Sequence, residues 1–300
     1  MAAMRIAIAG SSGLIGKPLV RALRADGHDV VRIVRRAARG ADEARWDPVA
    51  GTVDPDALRG VDAVVNLAGA GIGAKRWTAA YKRELRDSRV LGTAALARAI
   101  AAAETPPRVF LAGSAVGYYG DTGDRTVDET APSGEGFLAD LCVDWEAATR
   151  PAEEAGVRVV HLRTGLVVTA EGGAWGPLMR AFRFGVGGRL GSGRQYWSFI
   201  SLRDTIGAIR FLLDAEDVRG PVNLTAPEPV TNAEATKAVS RALRRPAMLP
   251  VPAFALRAVL GGLAVDVLSG RRAVPGVLRR AGFDFADPTI DQALAAALRD

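Results

Sequence analysis

The chain has 300 residues, 49% of them apolar and 24% charged, with a formal net charge of +6. That composition excludes a disordered chain, a collagen-like chain and a disulfide scaffold, and it suits one large α/β domain with a smaller appended lobe. The basic excess is arginine, since lysine occurs only at Lys17, Lys75, Lys82 and Lys237, and the arginines are neither gathered in a tail nor interleaved with aromatics, so no nucleic-acid partner is expected.

Arg5–Ala9 reads as a first strand rather than part of a signal peptide. A glycine-rich turn follows, then a helix with Leu19, Val20 and Leu23 on one face. Val30–Val34, Ala63–Leu67, Val109–Ala112 and Val157–Leu162 read as further strands, with helices near 78–103 and 137–155 between them. This alternation predicts parallel strands joined by right-handed crossovers, buried on both faces because the runs are unbroken. Beyond 165 the rhythm changes. Residues 171–194 are glycine-rich and aperiodic, a helix is predicted near 203–214, and Asn223-Leu224 reads as a short strand. Thr231-Asn232-Ala233-Glu234 reads as a helix start. Over 252–268, Leu256, Val259, Leu260, Leu263 and Val267 fall on one face of a single predicted helix. The expected fold is a doubly wound parallel sheet of the Rossmann type. Residues 1–165 and 202–225 are expected to form the nucleotide-binding domain, and 166–201 with 226–300 a small substrate lobe.

The single cysteine, Cys142, excludes an internal disulfide and a cysteine zinc site, and with His28 and His161 far apart no metal is expected. The stretch 251–268 contains Arg257 and Asp266 and is not expected to span a membrane. A cytoplasmic protein, monomeric or homodimeric, is the expectation.

Gly10-Ser11-Ser12-Gly13-Leu14-Ile15-Gly16 joins the first strand to the first helix. Glycine permits the tight turn and close approach of the backbone to a pyrophosphate, and the helix N-terminus offers N–H groups to that anion. In a strand–loop–helix context this GxxGxxG pattern points to a dinucleotide. It is not a triphosphate loop, because Ser11 and Pro18 stand where that motif needs glycine and Ser or Thr. The second strand ends Ile33-Val34-Arg35-Arg36, without the acid that would hold a free ribose 2′-hydroxyl. Guanidinium groups there suit a 2′-phosphate, so NADPH/NADP is the expected cofactor. Asp47 suits either the adenine amine or a turn cap.

With these residues in view, the chain resembles the extended, epimerase-like branch of the short-chain dehydrogenases/reductases. Ala9–Gly16 resembles that branch's opening, Asn66-Leu67-Ala68-Gly69 its fourth-strand exit, and Ser88-Arg89-Val90-Leu91-Gly92-Thr93 its Asn-Val-x-Gly-Thr helix. Within the branch, the chain is most similar to an atypical epimerase-like, NADP-binding family of unassigned substrate. Arg76-Trp77, Gly117-Tyr118-Tyr119-Gly120-Asp121, Asp144-Trp145-Glu146, Gly187-Gly188-x-x-Gly191-Ser192-Gly193-x-Gln195 and the tail from Leu249-Pro250-Val251-Pro252 to Asp287-Pro288 carry that likeness over nearly the whole chain.

The resemblance implies further contacts. Leu67, Ala68 and Gly69 would lie beside the adenosine or pyrophosphate, and Leu166 and Val167 would line the nicotinamide. Arg89, in place of the usual Asn, would reach phosphate or the nicotinamide side. Glu84 would bind a ribose hydroxyl or pair with an arginine. Ser114 would be the catalytic Ser, orienting a substrate carbonyl or hydroxyl of a small molecule, and Tyr118 or Tyr119 would replace the missing acid, with Tyr118 or water supplying the proton. The departure is in the acid–base pair. The residues four beyond Tyr81, Tyr118, Tyr119 and Tyr196 are Leu85, Thr122, Gly123 and Ile200, so Tyr-x-x-x-Lys is absent. Its slots fall near Leu138 and Cys142. Gln195 and Ser198 lie in a stretch suited to a lid, where Ser198-Phe199-Ile200-Ser201 replaces the family's Ser-Trp-Ile-His. Three functions fit: an NADPH-dependent oxidoreductase or nucleotide-sugar-epimerase-like enzyme, a non-catalytic NADPH-binding redox sensor, and a redox-neutral isomerase or dehydratase.

Overall fold

The computed structural model describes residues 3–247 and 250–299. Its elements in chain order are β1 (Arg5–Ala9), α1 (Gly16–Ala25), β2 (Asp29–Val34), β3 (Glu43–Asp47), β4 (Thr52–Val53), β5 (Ala63–Asn66), α2 (Ala79–Ala101), β6 (Val109–Ala115), β7 (Thr126–Val127), α3 (Phe137–Ala147), α4 (Arg150–Glu154), β8 (Arg158–Thr164), β9 (Leu166–Val168), α5 (Trp175–Arg183), β10 (Tyr196–Trp197), β11 (Phe199–Ser201), α6 (Leu202–Asp214), β12 (Gly220–Leu224), β13 (Val230–Thr231), α7 (Asn232–Leu243), α8 (Ala253–Leu260), α9 (Leu263–Leu268), β14 (Arg272–Ala273), α10 (Gly276–Arg280) and α11 (Ile290–Ala297).

One sheet runs β12-β8-β6-β5-β1-β2-β3-β4. All neighbours in it are parallel except β3 and β4. The order reverses between β1 and β5, which opens a crevice at their carboxyl ends where ligands of such sheets bind. Side chains alternate across each strand, so the two faces bury different sets. Ile6, Ile8, Val65, Leu111 and Leu162 pack against α1 and α6, while Ala7, Ala9, Val64, Phe110 and Val159 pack against α2. A third apolar cluster joins α5, α7 and α11 around Trp175, Phe182 and Phe199.

The predicted strands are present, and the helices near 78–103 and 203–214 with them, but there are four differences. The first is that the helix expected near 137–155 is two, α3 and α4, separated at Ala148 and Thr149 with Pro151 in the first turn of α4. Glu43–Asp47 is a strand not assigned from the sequence; its alternation of charged residues with Ala44 and Trp46 spans only five positions. The single helix expected over 252–268 is two, α8 and α9, broken at Gly261, whose φ of +58° no helix accepts. Val259 is accordingly exposed rather than on a packed face. Leu166 and Val167 do not merely trail a strand; with Val168 they form β9, parallel to β11. Thr231 and Glu234 make the expected capping box at α7. Leu249 of the tail motif lies outside the described residues. Among the described residues, no helix is long and apolar enough to cross a membrane, and no cluster of His, Cys, Asp and Glu could hold a metal ion.

The C-terminal segment is tied to the loop that follows Tyr119. β14 pairs with β7. The Arg272 N–H donates to Thr122 Oγ1 at 3.0 Å and the Val277 N–H to Glu129.

Candidate functional site

The glycine loop sits at the crevice. Gly10 has φ +79°, and a Cβ there would stand 2.6 Å from the Leu67 carbonyl carbon; a Cβ at Gly16 would overlap the Gly10 carbonyl. Only glycine lets these three backbone segments close up. The loop is a turn held by the Gly13 N–H on Gly10 O at 3.0 Å. Helix α1 begins with no side-chain cap and no acid in its first turn. Within that turn the Lys17 N–H is taken by Gly13 O and Pro18 has none, so the Gly16 N–H and the helix dipole are what is left to an anion. Ser11 is buried, and Ser12, Leu14 and Ile15 line the partly open lip. Leu67 and Ala68 are fixed opposite by Asn66, whose Oδ1 accepts from the Ala68 N–H at 3.1 Å and whose Nδ2 donates to Thr93 at 2.9 Å.

At the end of β2, Val34 is half-buried and Arg35 and Arg36 are exposed. Arg36 is held by Glu43, with N···O distances of 2.6 and 2.5 Å, and Arg32 reaches the same carboxylate at 2.8 Å. The Arg36 hydrogen bonds and the Arg39 backbone N–H hold the Glu43 carboxyl down at about 2. Arg35 makes no ion pair or side-chain hydrogen bond among the described residues. Asp47 is a turn cap, accepting from the Val49 and Ala50 N–H groups at 3.0 Å each.

On α2, Glu84 is exposed and pairs with Lys75 at 3.0 Å, not with Arg89. Arg89 is buried. It donates to Leu85 O at 3.0 Å and Ala70 O at 2.9 Å, with its guanidinium 5.2 Å from the Trp145 ring centre. Gly69 covers it, a Cβ there falling 3.1 Å from Arg89 Cζ.

At the ends of β6, β8 and β12 lies a buried polar network. The Ser114 hydroxyl donates to Glu146 Oε1 at 2.6 Å. Arg163 donates to both oxygens of Glu146, at 2.8 and 2.9 Å, and to the Tyr119 hydroxyl at 3.0 Å. Tyr119 donates onward to Asn223 Oδ1 at 2.8 Å. Burial pushes the Tyr119 phenol up to about 12, so of the two tyrosines this one serves the fold. Tyr118 is half-buried, its ring 3.4 Å from the Arg163 guanidinium carbon, and its hydroxyl has no partner among the described residues. Leu138 and Cys142 pack on Gly117. Burial drives the Cys142 thiol up to about 11, and it behaves as a small apolar group.

The order of strands, the glycine cradle and the open helix end are those of a dinucleotide fold, and the chain's residues 6–224 match the model of the NAD dependent epimerase/dehydratase family. The chain belongs to that family. Residues 251–297 match a second model, a domain of unknown function called DUF1731. The chain is 52% identical over 298 residues to an epimerase family protein of Mycobacterium bovis, covering 99% of this chain and 98% of that one. It superposes on the crystal structure of human epimerase family protein SDR39U1 (isoform 2) with NADPH at a TM-score of 0.90, with 34% identity, over 99% of this chain and 100% of that one. A nucleoside-diphosphate sugar epimerase structure from Corynebacterium glutamicum gives 0.82 and 35% identity, over 99% of this chain and 58% of that one.

Other epimerase-family features fall differently from expectation. Gln195 and Ser198, expected in a stretch suited to a lid, are both buried. Ser198 is buried, donating to Arg271 O and accepting from the Ala273 N–H, both at 2.8 Å. Gln195 donates to Leu190 O at 2.9 Å. Glu43, Glu146 and Arg163 were not singled out as site residues from sequence. Arg163 carried a signal: a charge within the apolar run Val159–Leu162 and its continuation demands a buried partner.

Proposed function

We propose that the chain is an NADPH-dependent oxidoreductase or epimerase-like enzyme acting on a small polar metabolite. The observation that carries this is the cradle formed by Gly10 and Gly16 against Leu67 and Ala68, facing an uncapped, acid-free helix N-terminus at the sheet's switch point. The neighbour crystallised with NADPH supports the cofactor's identity. In this reading, Gly10–Gly16 and Leu67–Gly69 hold the pyrophosphate and adenosine, and Arg35, with Arg36 steadied by Glu43, binds the 2′-phosphate beside Val34. Leu166 and Val167 line the nicotinamide. Residues 1–165 with 202–225 form the cofactor domain, and 166–201 with 226–300 close over the substrate end. A cytoplasmic setting suits the single buried thiol, Cys142.

Bound NADPH supplies a hydride at nicotinamide C4, and its oxidised form accepts one. The chain's part is proton handling and orientation. Ser114 has its own hydrogen directed at Glu146, so its lone pairs are free to accept a hydrogen bond from a substrate hydroxyl. Tyr118 has a free hydroxyl and is the proton donor in the reductive direction. The proposal is tested by incubating the protein with C4-deuterated NADPH and a fractionated metabolite extract. Deuterium in one metabolite establishes the reaction and names its substrate class; absence of transfer with NADPH tightly bound overturns it. That second outcome favours a non-catalytic NADPH sensor, the reading supported by the apolar Leu138 and Cys142 in the acid–base slots.

A further inference from the structure

The loop that leaves β5 runs into a concentration of positive charge. Lys75, Arg76, Lys82 and Arg83 gather around the amino end of α2, whose first turn holds no acid. Cations there oppose the helix dipole rather than complement it, so the helix gains nothing from them. Lys75 is answered by Glu84. Arg76 and Lys82 make no ion pair and no side-chain hydrogen bond among the described residues.

Both are nevertheless held in place. Lys82 is half-buried. Its ammonium lies 5.0 Å from the Phe137 ring centre and 5.8 Å from that of Trp77, and the two rings meet edge to face at 5.3 Å. Aromatic rings attract an ammonium but take none of its N–H groups as ordinary hydrogen bonds would, so those groups stay available. Arg76 precedes the same indole in the chain. Gly261, where α8 breaks from α9, pairs with Trp77 in a short parallel bridge, and a Cβ at Gly261 would stand 2.8 Å from Arg76 Nε. The C-terminal segment thus lies along the stem of an arginine that remains exposed.

The aromatic pair stands at the substrate end of the crevice. The Trp77 loop follows Asn66, the last residue of β5. Phe137 opens α3, and the next residue, Leu138, packs on Gly117, which precedes Tyr118. The phosphates of the cofactor belong to the other end, at Gly10–Gly16 and Arg35. Resting on the enzyme reading above, we infer that the substrate is an organic anion with a flat apolar body: the body rests on the wall of Trp77 and Phe137, and the anionic group, a carboxylate or a phosphate, is taken by Lys82 and Arg76.

The test uses the full-length protein saturated with NADP and three probes: benzoylformate, phenyl phosphate, and methyl benzoylformate, which keeps the ring and the ketone but carries no charge. At least one anion is expected to bind about ten- to hundredfold more tightly than the ester, the worth of a charge-assisted hydrogen bond; which anion wins separates carboxylate from phosphate. Arg76→Met and Lys82→Met should each weaken that anion about tenfold and leave the ester unchanged. Lys82→Arg should keep part of the preference, and retained NADP binding shows that the variants are folded. An ester that binds as tightly as both anions, or variants that lose acid and ester equally or lose neither, overturns the assignment. Wild-type protein that fails to bind NADP overturns the cofactor reading itself, a different result from any of these.

Discussion

Ser114 and Glu146 stand 2.6 Å apart, and Arg163 holds the same carboxylate with two further bonds. The serine hydroxyl is therefore a donor already spent and an acceptor still free. Its partner cannot drift, because the guanidinium fixes both oxygens. Arg163→Met is expected to cost about 3–5 kcal/mol, since it strands a buried carboxylate. Urea unfolding measures this, and the double replacement Glu146→Leu with Arg163→Met should recover much of the loss. No recovery would show that the pair does more than satisfy itself.

The glycine loop makes a sharper prediction. Gly16→Ala places a methyl group on the Gly10 carbonyl. The variant is expected to lose the NADPH-induced rise in melting temperature while keeping the far-ultraviolet circular dichroism of the parent sheet. A retained thermal shift would mean that the cofactor does not lie along this loop.

Cofactor choice should divide unequally between the two arginines after β2. Arg35 is unpaired among the described residues, whereas Arg36 is shared with Glu43. Arg35→Ala is expected to lower the preference for NADPH over NADH about ten- to hundredfold, the worth of one charge-assisted bond. Arg36→Ala should lower it less. The ratio of dissociation constants for the two cofactors decides the matter.

Glu43 gives a pH signature. Its carboxyl is held at about 2 against an ordinary 4.5. A carboxyl whose pKa is depressed by folding stabilises the fold above its unfolded pKa, and that contribution is lost as pH falls through the folded value. The melting-temperature gap between wild type and Glu43→Gln should thus be constant from neutrality down to about pH 5 and shrink towards about pH 2. A gap that ignores acid would place the effect in packing instead.

The sheet and its crevice were legible because they rest on local rules: unbroken apolar runs, glycines in order, and a helix after them. Glu43–Asp47 was not, since it has only two apolar residues, Ala44 and Trp46, and its Glu43 is buried by ion pairs with Arg32 and Arg36 that come from the neighbouring strand and its exit. The polar network was hidden for another reason. Ser114 meets Glu146 across 32 positions and Tyr119 meets Asn223 across 104, and no pattern in a chain reports contacts at that range. Asp47 shows the opposite case, where chemistry alone allowed two roles and the structure displays one of them, the cap on the turn of Val49 and Ala50.

The bond between β14 and β7 has a consequence for how the protein is made. A ribosome delivers the Rossmann strands first, and domains fold in the order they emerge. The stretch from Asp121 to Glu129, next to Tyr118, must wait for Gly270, Arg272 and Val277 to supply its partners. Synthesis thus delivers the residues of the glycine loop long before Leu278, which closes the core beneath Ile6, Ile8 and Leu19, and before the partners of the stretch beside Tyr118.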